Sequence, residues 1–340
     1  MKGFVYRVLI FLLPVFGLLA LYLYLDPFKV VGLYNNYKPM GSELSVPLNQ
    51  NRVSAGTYLY HNDSVQYNSF IFGSSRSMFY EVADWKPYLG GDARCFHFDA
   101  SAETLQGILH KIRFLDQRGA DFHNVLLILD ADIFRTYELL NEHLYMEDPL
   151  VVGYRNWLPF HAGHFMAFMN RKFMRAYLDY RITGKSKAYM TDLNVLDDKP
   201  FVYDPNTNEL RYAYFEHLAA DGSYYDYERM RKFGKERDGV ERFSSPVISA
   251  EHQEVLREIA TILQAKECDI RVVISPLYDQ VRFADADLNV LKEILGPRSV
   301  FDFSGINTLT ASHTGYYERS HYRPHIAKAV LDSIYKQQSR

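Results

Sequence analysis

Cysteine is scarce. Cys95 and Cys268 are the only two in 340 residues and form no C-x-x-C pair, which excludes a disulfide framework and a thiolate zinc or redox motif. An excess of charge of one sign is also missing: 38 Lys+Arg face 41 Asp+Glu, a net charge of -3. That balance argues against a nucleic-acid partner and against a charge-extended disordered chain. The chain has no internal repeat, no low-complexity tract and no G-x-x-x-x-G-K-[ST] phosphate loop, and nothing points to a nucleotide or other cofactor. What is abundant is apolar surface. With 48% hydrophobic and 15% aromatic residues, the chain can bury the core of one large or two ordinary domains.

The longest apolar run lies near the N-terminus. Residues 8–25, VLIFLLPVFGLLALYLYL, carry no charge, follow Lys2 and Arg7, and end at Asp26. At about 1.5 Å per residue the run just matches a hydrocarbon core of about 30 Å. Bulky residues follow it where a signal peptidase needs small ones. The expectation is an uncleaved transmembrane helix within residues 1–26. The positive-inside rule then puts the bulk of the chain outside the cytoplasm, periplasmic or cell-surface.

Residues 27–65 lack sustained periodicity and read as a linker and lead-in. Short apolar runs then alternate with amphipathic segments. Strands are expected at 69–73, 94–98, 124–130, 270–275 and 299–303, and helices at 103–118, 251–266, 287–295 and 323–336. This is the pattern of a three-layer α/β/α domain with a mostly parallel five-stranded sheet, made in two halves, 66–134 and 249–340. Residues 135–248 break the rhythm with a helical pair near 157–181, a turn at 204–208 and many aromatics, and read as an inserted cap or subdomain.

Parallel sheets bind ligands at the carboxyl ends of their strands. Gly73-Ser74-Ser75-Arg76-Ser77 follows the first strand. There a glycine permits a tight turn and a serine at a helix start can serve either as a cap or as a nucleophile. Near the other end, Glu318 and His321 are three apart, which suits a carboxylate orienting an imidazole that takes a proton from serine. Asp130 and Asp132 after the third strand, and Pro276 and Tyr278 after the fourth, are further pocket candidates. His161-x-x-His164 lacks a third ligand, and Pro324 separates His321 from His325, so no metal site is expected.

Gly73-Ser74-Ser75 and Glu318-x-x-His321 resemble the opening Gly-Asp-Ser and closing Asp-x-x-His blocks of the SGNH (GDSL-like) hydrolases. Together with FDFSG and SHYRP they are most similar to the membrane-anchored members that act in cell-envelope polysaccharide acylation. The resemblance covers about residues 65–135 and 250–338. It implies Ser75 as nucleophile, His321 as general base and Glu318 as orienting acid. It also implies an acyl-enzyme, and an envelope polysaccharide or other acylated glycan as substrate, with a multispanning membrane acyltransferase as a possible partner. Asp99 and Asp130 stand where the family's oxyanion donors would be, so Ser75, Arg76 and Ser101 are the oxyanion candidates. A catalytically silent binding or assembly subunit is the alternative.

Overall fold

A computed structural model describes residues 2–38, 44–135, 142–192, 195–198, 201–226, 230–233 and 237–336, with side chains from residue 12 onward except that of residue 232. The chain opens with helices α1 (Lys2–Leu25) and α2 (Gln50–Val65), then strands β1 (Ser69–Gly73) and β2 (Cys95–His97), helix α3 (Leu105–Asp116) and strand β3 (Asn124–Leu129). The intervening region holds α4 (Trp157–Phe168), α5 (Arg171–Thr183), a hairpin of β4 (Val202–Asp204) and β5 (Glu209–Arg211), and α6 (Ala213–Ala220). The second half adds α7 (Ala250–Gln264), β6 (Asp269–Ile274), α8 (Asp285–Leu295), β7 (Val300–Asp302), the short strands β8 (Tyr316–Glu318) and β9 (His321–Tyr322), and α9 (Pro324–Lys336).

The sheet is five-stranded, ordered β2-β1-β3-β6-β7, with every pairing parallel. Its strands are apolar on both faces because both are covered. Phe70, Phe72, Val125, Leu127 and Val272 pack under α2, α3, α7 and α8, while Ile71, Leu126, Ile128 and Val273 pack under α9 and the short helix Val82–Trp85. The chain leaves β1 for β2 on one side and returns to β3 on the other. The carboxyl ends of β1 and β3 therefore flank the crevice where such sheets take ligands.

Three segments lie outside this sheet. The lead-in contains α2, which buries polar side chains beside the core residues Ala55 and Tyr58 and so leaves no clear apolar period. Ser54 Oγ donates to the Asp99 carbonyl at 2.9 Å, Thr57 bonds the Tyr203 hydroxyl at 2.8 Å, and Asn49 caps the helix by accepting from Arg52 N–H. Next, among the described residues no helix is long and apolar enough to cross a membrane. Residues 8–11 of the expected span lie outside the described side chains. Finally, the insert is joined to the sheet edge. Its β4–β5 turn pairs with the free edge of β2, His97 N–H donating to the Thr207 carbonyl at 2.9 Å and Asn208 Nδ2 to the His97 carbonyl at 2.6 Å. An edge strand is thereby protected.

Candidate active site

The site begins where β1 ends. A Cβ on Gly73 would lie 2.8 Å from the Ile128 carbonyl and 2.9 Å from Ser77 Cβ, so only glycine lets the chain turn this close to β3. Ser75 follows in a turn and is half-buried. The helix expected to start here is only the 3₁₀ turn Ser77–Phe79, too short to lend Ser75 an appreciable helix dipole.

His321 and Glu318 arrive from the far end of the chain on a small antiparallel hairpin, where β8 and β9 place them directly opposite each other. The three-residue spacing thus works across a two-residue turn. Ser75 Oγ lies 2.8 Å from His321 Nε2, and His321 Nδ1 is hydrogen-bonded to Glu318 Oε1. The other carboxylate oxygen accepts from Ser320 N–H at 2.9 Å. Partial burial raises the Glu318 pKa, but the bond and charge of His321, the Ser320 N–H and the nearby Arg76 outweigh it and hold the carboxyl below its ordinary value. The edge of the imidazole packs on Phe79, ring centroids 5.8 Å apart.

Arg76 points the other way. Its guanidinium lies 2.7 Å from Asp130 and 2.9 Å from Asp132, and its Nε donates to the Ser320 carbonyl at 3.1 Å. Burial lowers the Arg76 pKa, but the two carboxylates more than offset it, so the group stays charged. Arg76 thus turns its guanidinium to the two carboxylates. It ties the serine turn, the end of β3 and the histidine hairpin into one frame. Asp130, 2% exposed, is neutralised by that pair, and Asp132 also accepts from Arg135 at 2.9 Å.

No described hydrogen bond joins Ser101 to Ser75, Glu318 or His321. Pro276 offers its carbonyl to the Tyr316 hydroxyl at 2.8 Å. Tyr278 is buried between Phe233 and Tyr316 with Arg237 over its ring. These two support the hairpin from beneath. Asp99 turns its carboxylate to the interior, 3.7 Å from His97 Nδ1 and 3.4 Å from Ser77 Oγ. Burial would lower the His97 pKa, yet Asp99 beside it, with Glu209, leaves it raised.

Sequence reasoning missed the latch between the insert and the hairpin. Glu216 on α6 accepts from Arg323 Nε at 2.9 Å and Nη2 at 2.8 Å, and from the Tyr317 hydroxyl. Tyr224 and Tyr225 donate to the carbonyls of Tyr317 and Thr314. The only signal was the density of tyrosine in the insert. Beside the hairpin lies a polar cavity of about 590 Å³, whose lining includes Arg76, Asp132, Arg135, Ser244, Arg319 and Ser320. No protein-family model matches the chain, and no curated protein matches it.

Proposed function

We propose that the protein is a serine-dependent acyl-ester transferase or esterase of the SGNH type, acting on an envelope polysaccharide and held at a membrane by its N-terminal helix. The observation that carries the chemistry is the 2.8 Å contact between Ser75 Oγ and His321 Nε2, with Glu318 on the opposite ring nitrogen. Ser75 attacks the ester carbonyl while its proton passes to His321 Nε2. The proton then goes to the departing alkoxide, leaving an acyl-serine. Water or a sugar hydroxyl, deprotonated by the same imidazole, takes the acyl group and restores Ser75. Glu318 fixes the tautomer and stabilises the imidazolium. The N–H of Ser75 is the donor best placed by sequence for the oxyanion.

The polar lining of the adjacent cavity suits a hydroxyl-rich acceptor, the uncharged run at 8–25 behind Lys2 and Arg7 supports extracytoplasmic placement, and the family resemblance alone suggests a multispanning membrane acyltransferase as partner. A second reading, a silent binding subunit, draws on Asp99 and Asp130 occupying the positions after β2 and β3. The deciding experiment is labelling with a serine-reactive phosphonate or sulfonyl fluoride, which a base-activated serine captures and an ordinary hydroxyl does not. Label on Ser75 that disappears in Ser75→Ala supports the enzyme. A wild-type protein that stays unlabelled while folded supports the silent subunit.

A further inference from the structure

The α4–α5 hairpin breaks the usual rule for surface helices. Helix α4, WLPFHAGHFMAF, has no Lys, Arg, Asp or Glu. Phe160, His164 and Phe168 form its buried stripe, while Leu158, Ala162 and Met166, also four residues apart, form the exposed one, Leu158 and Met166 at 68% and 67% exposure. A helix on a water-facing surface carries charge on that outer stripe, and one that is apolar all round belongs against something apolar. Tyr154 and Trp157 stand exposed at its start. Helix α5 has the complementary character, with Arg171, Lys172, Arg175 and Arg181 exposed. Between residues 154 and 190 there are seven Lys or Arg and one carboxylate, Asp179, in a chain whose net charge is -3. Asp179 is already bonded to Lys187.

The neighbour of this hairpin is α1. Tyr22 of α1 packs on Phe165 and Phe168, ring centroids 5.5 Å apart in both cases, and Leu13 and Phe16 on α1 are exposed in turn. We infer that the α4–α5 hairpin is a second membrane-contact element, seated on an anionic lipid surface beside α1. The apolar stripe and the aromatic pair enter the boundary between headgroups and acyl chains, and the arginines and lysines meet the phosphates, which is how interfacial helices bind. A neutral apolar partner would not use the cations. The inference rests on the proposed placement of α1 in the membrane.

The molecule carries its own probe. Of its two tryptophans, Trp85 is fully buried with Nε1 bonded to Tyr335, whereas Trp157 is 50% exposed on the hairpin. The full chain is reconstituted into phosphatidylcholine vesicles with and without phosphatidylglycerol, using lipids with or without brominated acyl chains. Emission present in wild type but absent from Trp157→Phe reports residue 157. The expected result is that brominated chains quench most of that emission, and that quenching falls without phosphatidylglycerol or in Arg171→Glu/Lys172→Glu. Alkaline carbonate extraction reports the anchor separately. Quenching by anionic vesicles of a chain that carbonate releases retains the hairpin and refutes the anchor. Unquenched Trp157 overturns the inference whether or not the chain is retained, and a dimer in sedimentation would then identify a second copy as the cover. Quenching indifferent to both the anionic lipid and the charge reversal also overturns it.

Discussion

Ser75 and Arg76 are neighbours on one turn, yet they belong to opposite kinds of constellation. In the proposed relay of Ser75, His321 and Glu318 the histidine and glutamate are about one-third open to solvent, and Oγ lies 2.8 Å from Nε2. Arg76, Asp130 and Asp132 form a cluster whose cation is 11% exposed and whose inner carboxylate is 2% exposed, with Arg135 as a second cation on Asp132. In the proposed chemistry the first has one bond that breaks and re-forms. In the second, the bond from Arg76 to the Ser320 carbonyl ties the turn between Glu318 and His321 to the serine turn. The proposed relay and the charged cluster thus differ in how open their groups are to solvent.

The largest effect should come from cutting the relay. Ser75→Ala or His321→Ala is expected to lower turnover of an activated ester by roughly 10⁴- to 10⁶-fold with little change in melting temperature, and the double variant should be no worse than either single, because the groups act as a unit. Glu318→Gln should cost somewhat less, about 10⁴-fold. Steady-state kinetics beside a thermal melt checks this. Additive losses would show that the two residues do not share one step.

Next comes the cluster, where the loss should appear in stability. Arg76→Met leaves Asp130 buried without its cation, a situation that costs about 3–5 kcal/mol. Asp132, being 35% exposed, can return to water. Adding Asp130→Asn to Arg76→Met should recover much of the loss, and denaturant titration of the pair and both singles measures the coupling. If Arg76→Met melts like wild type but loses ester turnover, Arg76 acts on the substrate and the division between relay and frame fails.

Much of the frame could be read directly from the sequence. Four of the five strands lie within the expected runs and β6 begins one residue early, at Asp269, because a doubly covered strand is continuously apolar, and α3 and α7 showed one apolar face each. Ser75, Glu318 and His321 were legible as types and spacings, though nothing local says that residues 75 and 321 meet. That follows only once both segments end on the same edge of the sheet. Helix α2 was not legible, since Asn49, Arg52, Ser54 and Thr57 bury polar groups against polar partners. The carboxylate partners of Arg76 were not legible either, since only the fold brings the ends of β1 and β3 side by side.

A smaller effect tests the turn that carries both constellations. Gly73→Ala places a methyl 2.8 Å from the Ile128 carbonyl, a backbone atom with little room to yield, and overpacking of this kind costs about 1–3 kcal/mol. It moves Ser75 and Arg76 together, so turnover and melting temperature should both fall. Loss of turnover with an unchanged melt would mean that the turn adjusts at the expense of the relay alone.

The smallest effect concerns the latch from the insert. Glu216 is about one-third exposed and Arg323 13% exposed, between the regimes of surface and buried pairs, so Glu216→Gln should cost about 1 kcal/mol at neutral pH. The pH dependence gives a sharper check than the size. Burial raises the Glu216 pKa, but the bonds from Arg323 and Tyr317 prevail and leave it below its ordinary value. A carboxyl depressed by folding contributes stability that is fully present above its unfolded pKa of about 4.3 and fades as the pH falls through the lower folded value. Wild type should therefore exceed Glu216→Gln in melting temperature at neutral pH, and the gap should narrow below about pH 4. Because Tyr317 adjoins Glu318, loosening the latch should also lower turnover modestly while leaving Ser75 reactive towards a phosphonate. A gap that stays constant down to pH 3 would show that the amide's shape, and not the missing charge, weakens the latch, and the insert would then hold the relay by packing alone.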